Sequence, residues 1–354
     1  MQMLGTRADV ARTAKLGAAE GVGSVYTIKT DPKNKVKRLQ ELIRVHDHYT
    51  ENGVRHILVD ASLYDGADRC VGPARLSKDW IDAQLNLGCP AALTDSPFIE
   101  RDGERALRSV LEQAKDLGPD VVAVLPMHPH WVGTNTSKLI EAINDVGVAV
   151  AIILEHSNDP YGSQKTVHGL VRILNEVDQK ILVLRCDLSA VGAACFGASV
   201  GAIGTTTGLR HIYPRPTKRS GGGFHDPRIG LYVPSAMAYR ALDTVSDATI
   251  RDTGPDIRWR CPCRYCSGGL LIDTVVDEVS AYEHSFAAIA HQSQQMLGPD
   301  STAEDARRTW VSQCEHAQTL CQEVAYDLGI GWPTPDFFAG WRNAIIDPAP
   351  LRMA

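Results

Sequence analysis

No run of about eighteen uncharged apolar residues occurs anywhere in this 354-residue chain, so the sequence offers no membrane-spanning helix. The first residues, Met1-Gln2-Met3, lead into Arg7 and Asp9 where a secretory leader would carry its apolar stretch, and a cytoplasmic location is expected. The evenly spaced cysteine framework of small secreted domains is missing. Of nine cysteines, three fall within one hexapeptide and the rest are scattered. A uniformly basic surface is excluded as well, because 36 Lys and Arg face 42 Asp and Glu for a net charge of −6. Local positive clusters such as Arg215 to Arg219, with Arg228, can still meet phosphates. No glycine-rich dinucleotide fingerprint follows the first candidate strand, which argues against a doubly wound open sheet.

What is present is a 44% hydrophobic, 22% charged chain large enough for a substantial core. From about residue 25 to 210, short β-branched runs alternate with helix-like stretches. The candidate strands are Ser24 to Ile28, His56 to Leu63, Pro90 to Phe98, Val121 to Met127, Val148 to His156, Lys180 to Asp187 and Val200 to Thr205. Between them lie amphipathic segments such as Arg101 to Leu117, with Leu107, Val110, Leu111 and Ala114 at helical spacing. The pattern predicts an α/β fold, a (β/α)₈ barrel over residues 1–260, with the eighth strand near Gly230 to Val233. A glycine-rich, basic loop centred on Ser220 to Gly223 breaks the rhythm. A metal-binding insertion over residues 261–296 and a C-terminal helix and tail over 297–354 complete the expected organisation. The helix from Ala303 to Leu328 carries Trp310, Val311, Leu320 and Val324, a face that suits its own barrel or a second copy in a homodimer.

Cys261-Pro262-Cys263-Arg264-Tyr265-Cys266 places three thiolates within six residues, three corners of a tetrahedral zinc site. His284 and His291 follow Cys266 at 18 and 25 residues and, seven apart, share one helix face. Either supplies the fourth corner. Four protein ligands would leave no open position for water, so one structural zinc ion per chain is expected, and not a catalytic metal.

A barrel rhythm with C-x-C-x-x-C and a later histidine resembles the tRNA-guanine transglycosylases and their DNA-modifying, DpdA-type relatives. A second motif agrees in part: the family's third strand ends T-D-S-G-G-F, and here the third candidate strand ends Thr94-Asp95-Ser96-Pro97-Phe98. Together the motifs and the barrel rhythm cover most of residues 25 to 295. The family's local text around its zinc histidine favours His284-Ser285-Phe286, whereas its usual distance favours His291; His284 is preferred. The resemblance implies exchange of guanine in a polynucleotide for a 7-deazaguanine, with one carboxylate attacking the sugar and another relaying protons. Asp95 would carry over as the proton relay, with Ser96 and Phe98 beside the base.

The family's nucleophile ends the seventh strand, yet Gly197 to Ile203 holds no carboxylate, and Asp187 at the end of the sixth candidate strand is the nearest alternative. The two aspartates are interchangeable in role at this stage. Glu155 stands where tRNA enzymes place a glutamine and would accept hydrogen bonds from base N–H groups. Arg210 would hold a phosphate and His211 would face the site. Without a recognisable RNA-binding domain, the chain looks closer to the DNA branch, with 7-cyano-7-deazaguanine or a similar base incoming and an unstacked deoxyguanosine as target. Two other functions compete: a noncatalytic binding subunit of the same fold, and a hydrolase using His128-Pro129-His130 with His156 and Asp187 as a metal site.

Overall fold

A computed structural model of the chain describes residues 2–4, 7–28, 34–215, 228–254 and 256–344. The loop centred on Ser220 to Gly223 lies outside the described residues. In chain order the elements are β1 (Gln2–Leu4), α1 (Arg7–Glu20), β2 (Ser24–Thr27), α2 (Lys35–Glu51), β3 (Ile57–Asp60), α3 (Lys78–Asn86) and β4 (Ala92–Leu93). Next come α4 (Glu104–Leu117), β5 (Val121–Met127), α5 (His130–Gly133), α6 (Thr136–Val146), β6 (Val150–Leu154), α7 (Gln164–Glu176), β7 (Ile181–Cys186), α8 (Ser189–Cys195) and β8 (Val200–Ile203). Last are β9 (Gly230–Val233), β10 (Ala238–Ala241), α9 (Leu242–Arg251), α10 (Leu271–Thr274), α11 (Glu278–Leu297), α12 (Ala303–Leu328) and α13 (Phe337–Asn343). No helix among the described residues is long and apolar enough to cross a membrane.

The strands β1 to β8 are parallel and lie in chain order in two sheets, β1-β2-β3 and β4-β5-β6-β7-β8. Their central members are buried on both faces and, apart from Arg185 in β7, apolar, as parallel strands between two packed layers tend to be. Alternate residues serve the two layers. Ala123, Leu125, Ile152 and Val183 join the outer core under the helices, whereas Val122, Val124, Ile153 and Leu184 join a smaller inner cluster. Val25 from β2, Leu58 from β3, Leu93 from β4 and Ala202 from β8 also enter that inner cluster, so both sheets wrap the same interior.

Two expectations change. Gly230 to Val233 is a strand, but it pairs antiparallel with β10 through the short turn Pro234–Ala236, too brief a link for a parallel crossover. The additional parallel strand is β1, paired with β2 from Gln2↔Val25 to Leu4↔Thr27. Every candidate strand therefore moves up one place in the order. Among the described residues no ladder joins β3 to β4 or β8 to β1, so the pairings establish a three-stranded sheet and a curled five-stranded one, without the closure of a full barrel.

The C-terminal helices cover the β7–β8 side. Trp310 of α12 lies against α8 at Gly192, where an added Cβ would come within 2.6 Å of the indole. In a free helix Gly→Ala would gain up to about 1 kcal/mol of propensity. At Gly192 the rigid ring reverses the sign, and Gly192→Ala is expected to cost roughly 1–3 kcal/mol, read as a lower urea midpoint with unchanged m value.

Candidate metal centre and active site

The loop after Arg260 is folded by its own backbone before any metal is considered. Cys261 N–H donates to Gly269 O at 3.2 Å, Gly268 N–H to Cys261 O at 2.9 Å and Ser267 N–H to Cys263 O at 2.8 Å. Closing so small a loop takes left-handed backbone at Ser267 and Gly268, with φ of 51° and 85°. The N–H groups of Cys263 and Cys266 point at the sulfurs of Cys261 and Cys263, at 3.5 and 3.4 Å. Hydrogen bonds from Cys261 and Cys266 pull the Cys263 thiol well below its usual range.

Helix α11 brings the fourth group. Its start is fixed by a capping box between Asp277 and Ser280. One and a half turns later His284, fully buried, donates from Nε2 to Tyr232 O at 2.7 Å. Its Nδ1 faces the thiols, 3.1 Å from Cys266 Sγ and 3.8 Å from Cys263 Sγ. The donor atoms of Cys261, Cys263, Cys266 and His284 all lie within 4.8 Å of one another and are buried, a group able to hold a metal ion. His291, the other candidate, stands outside this group.

The C-terminal ends of the strands form a second assembly, rich in arginine–carboxylate contacts. Asp60, ending β3, is buried and accepts from Tyr64 Oη at 2.6 Å and Ser62 N–H at 2.9 Å. Arg185 of β7 lies over the Tyr64 ring and donates to Asp65 at 2.9 Å and to Gly208 O at 2.6 Å. Asp95 accepts from Ser77 N–H at 2.9 Å, with Arg38 3.8 Å away, and burial pushes its carboxyl up against those two opposing influences. Ser96 is buried, its hydroxyl 2.7 Å from that of Thr94. Glu155, after β6, is paired with Arg69, whose guanidinium lies 3.8 Å from the centroid of the Phe98 ring. Asp187, its side chain 31% exposed, has Arg210 at 3.6 Å, and Arg210 in turn stacks 3.6 Å over Tyr239.

His211 is buried against Tyr213, with ring centroids 4.3 Å apart, and its Nε2 has no hydrogen-bond partner among the described residues. Burial, then the neighbouring His156 and Arg185, pull it down to about 4, so it is neutral at physiological pH. Beside Arg210 opens a cavity of about 380 Å³ lined by Thr205, Thr206, Tyr239, Tyr282 and Phe286 among others. The sequence-predicted groups thus separate into three places: Asp95 with Ser96 beside α2 and α3, Phe98 with Glu155 through Arg69, and Asp187 with Arg210 and the adjoining His211, of which Arg210 lines the cavity. His128 accepts from His130 N–H at 3.1 Å, and among the described residues the H-x-H pair enters no metal-competent group.

Sequence reasoning missed Asp60, Asp65, Arg69, Asp159 and Arg185. Two signals were available: Arg185 interrupts the apolar run Ile181 to Cys186, and Asp60 ends the run Ile57–Asp60.

No protein-family model matches the chain, and no curated protein matches it. Among solved structures, a 3-dehydroquinate dehydratase from Aquifex aeolicus VF5 has a TM-score of 0.37 at 11% identity, over 60% of this chain and 92% of that one. A thiamine phosphate pyrophosphorylase from Pyrococcus furiosus has 0.31 at 12%, over 57% and 82%. The apo homocysteine methyltransferase MmuM from Escherichia coli has 0.35 at 10%, over 58% and 91%. Likenesses of that size carry no functional meaning.

Two measurements probe this site. Elemental analysis of the purified protein is expected to give about one metal ion per chain, and Cys263→Ser none, with unfolding stability lower by more than ~2 kcal/mol because binding energy at such a site is folding energy. Asp159 provides a pH test. Burial, then the charge of Asp187, raise it to about 7 in the fold, above its ordinary 3.8. Between those values the folded state holds a proton that the unfolded state has released, so stability falls as pH rises from about 4 to 7 and levels off above. Asp159→Asn keeps an acceptor for Tyr161 N–H and should flatten that slope, gaining on the order of 1 kcal/mol at pH 8 in denaturant titrations.

Proposed function

We propose that this chain is a base-exchange transglycosylase that replaces guanine in DNA with a 7-deazaguanine such as 7-cyano-7-deazaguanine, on a (β/α)₈ barrel of the tRNA-guanine transglycosylase type. The observation that carries the reading is the place of Asp187. With β1 counted, it follows the seventh parallel strand, where the resembled family keeps its nucleophile, and its partly exposed carboxylate faces Arg210, which lines a cavity walled by the helix that bears His284. The same recount moves Thr94-Asp95-Ser96 to the end of the fourth strand, one place beyond the family's motif.

The Cys3His group suits zinc, whose preference is for thiolate sulfur and imidazole nitrogen in a closed tetrahedral set. Its part is to fix the loop, α11 and the β9–β10 hairpin beside the cavity. The reaction is left to the carboxylates. Asp187 attacks the anomeric carbon, forming a C–O bond as the C–N bond to guanine breaks, and the departing ring nitrogen takes up a proton. The incoming base then loses its ring N–H proton and displaces Asp187, giving net retention. Asp95, pushed up by burial, suits the proton relay, while Asp187 in its polar setting suits attack; two carboxyl groups in contrasting environments take contrasting roles. Glu155 and Phe98 offer an acceptor and a ring face to the base, and Arg210 a cation for a phosphate.

A second reading is favoured by the engagement of Asp95 with Ser77 and Arg38: a noncatalytic subunit that binds nucleic acid or a partner. Labelled guanine or 7-cyano-7-deazaguanine incubated with duplex DNA or tRNA separates the possibilities. Label enters DNA with the wild type, Asp187→Asn lowers incorporation by at least about 10³-fold, and Asp95→Asn by about 10²-fold or more. Label in tRNA alone moves the reading to the RNA branch. Nucleic-acid binding without label in either polymer leaves the noncatalytic subunit.

A further inference from the structure

The contact between Arg69, Phe98 and Glu155 has the form of a ligand complex made within one chain. The guanidinium lies face-on to the Phe98 ring at 3.8 Å and donates from Nη1 to Glu155 Oε1. Both charged side chains are almost wholly buried, at 8% and 11% exposure. A buried pair of this kind regains little of its desolvation cost as stability, so structural need alone accounts for it poorly. Arg69 is also incompletely satisfied among the described residues, since its Nε is buried there without a partner.

The segment that carries Arg69 runs between β3 and α3 and is tied to the rest of the chain through Arg185 at Ser62 and Asp65 and through Arg215 at the Arg69 carbonyl. Residues between β3 and α3 form no helix or ladder beyond a single bridge from Val71 to Phe98. They turn through left-handed backbone at Ser62, Gly66 and Gly72, and Gly66 to Asp68 are exposed. The segment is held near Arg69 by Cys70 N–H to Leu63 O and Phe98 N–H to Cys70 O, both at 2.8 Å.

We infer that Arg69 is a placeholder for the substrate base: it occupies the seat between Phe98 and Glu155, and a planar ligand with two adjacent N–H donors must displace it. A guanidinium and the N1–H/N2–H₂ edge of a guanine-type base present the same fork of parallel donors on a flat π-system, so one aromatic face and one carboxylate serve both. Adenine lacks that pair of adjacent donors and offers the carboxylate only its single amino group. The occupied seat makes the site selective, because a base gains nothing unless it matches the contacts that Arg69 gives up. The inference rests on the guanine-exchange reading but fails separately from it.

Calorimetric titration of guanine and 7-cyano-7-deazaguanine, with adenine as control, tests it on the full chain. Arg69→Ala and Arg69→Lys are expected to bind the two guanine-type bases at least about tenfold more tightly than the wild type, with no gain for adenine. Adding Glu155→Gln to Arg69→Ala should abolish the gain. Should Arg69→Ala lose its cooperative melting transition, Arg69→Lys, which keeps the buried positive charge, decides in the same way. Equal or weaker guanine binding in the folded variant overturns the placeholder, as does a gain shared by adenine. Wild-type label incorporation alongside either result leaves the exchange reading standing, whereas absence of incorporation with the tenfold gain leaves the placeholder standing alone.

Discussion

One imidazole holds together the part of the structure on which the cavity depends. His284 uses Nε2 to reach the carbonyl of Tyr232 and Nδ1 to face Cys263 and Cys266. The next residue, Ser285, accepts the N–H of that same Tyr232 at 2.9 Å. Both backbone groups of one hairpin residue are therefore tied to consecutive positions of α11, and the cysteine loop is tied to the same helix turn. A hairpin of two four-residue strands is marginal by itself. Here the Cys3His group and the Tyr232 contacts substitute for the sheet it lacks, so Tyr239, across from Tyr232 in the register, is rigidly placed beneath Arg210. The carbonyl partner also fixes the histidine tautomer, as outer partners of metal ligands commonly do.

The strand ends show the opposite economy. Asp95, Glu155, Asp187 and Asp65 each face an arginine, namely Arg38, Arg69, Arg210 and Arg185. Removing four such carboxylates from water is expensive, and the cationic partners make it tolerable without making it profitable. A fold seeking stability alone would fill these positions with apolar groups, as it does one turn deeper in the inner cluster. The paired charge is concentrated at one end of the sheets, and the inner cluster below it is apolar.

Much of this was legible in the sequence where the signal is local. The cysteine spacing predicts the metal group because six residues cannot hide three thiols apart, and α4 buries the Leu107, Val110, Leu111 and Ala114 face that its periodicity announces. The strands β5 to β7 lie within their predicted bounds because buried parallel strands are continuous apolar runs. The failures are equally physical. The strand β1 is three residues long, too short to leave a periodic pattern, while Gly230 to Val233 has the composition of a strand and no composition reveals with which neighbour it pairs. Arg69 and Arg185 were missed because each answers a carboxylate far away in sequence, Glu155 at 86 residues and Asp65 at 120.

The position of Asp187 follows from an irregularity that no pattern of alternation foretells. Along β7, Leu182 and Leu184 point into the inner cluster and Val183 points out, so strict alternation would turn Arg185 outward, Cys186 inward and Asp187 out among the helices. Instead the ladder to β8 slips between Val183 and Cys186, and Arg185 adopts φ of 45°. This bulge inserts one residue and reverses the phase: Arg185 turns in to meet Tyr64, Cys186 joins the outer core, and Asp187 emerges beside Arg210. A strained non-glycine residue persists only when its surroundings over-determine it, and the contacts of Arg185 with Ser62, Asp65, Gly208 and His211 do so. The buried arginine is thus the structural reason that a carboxylate is presented at the end of the seventh strand.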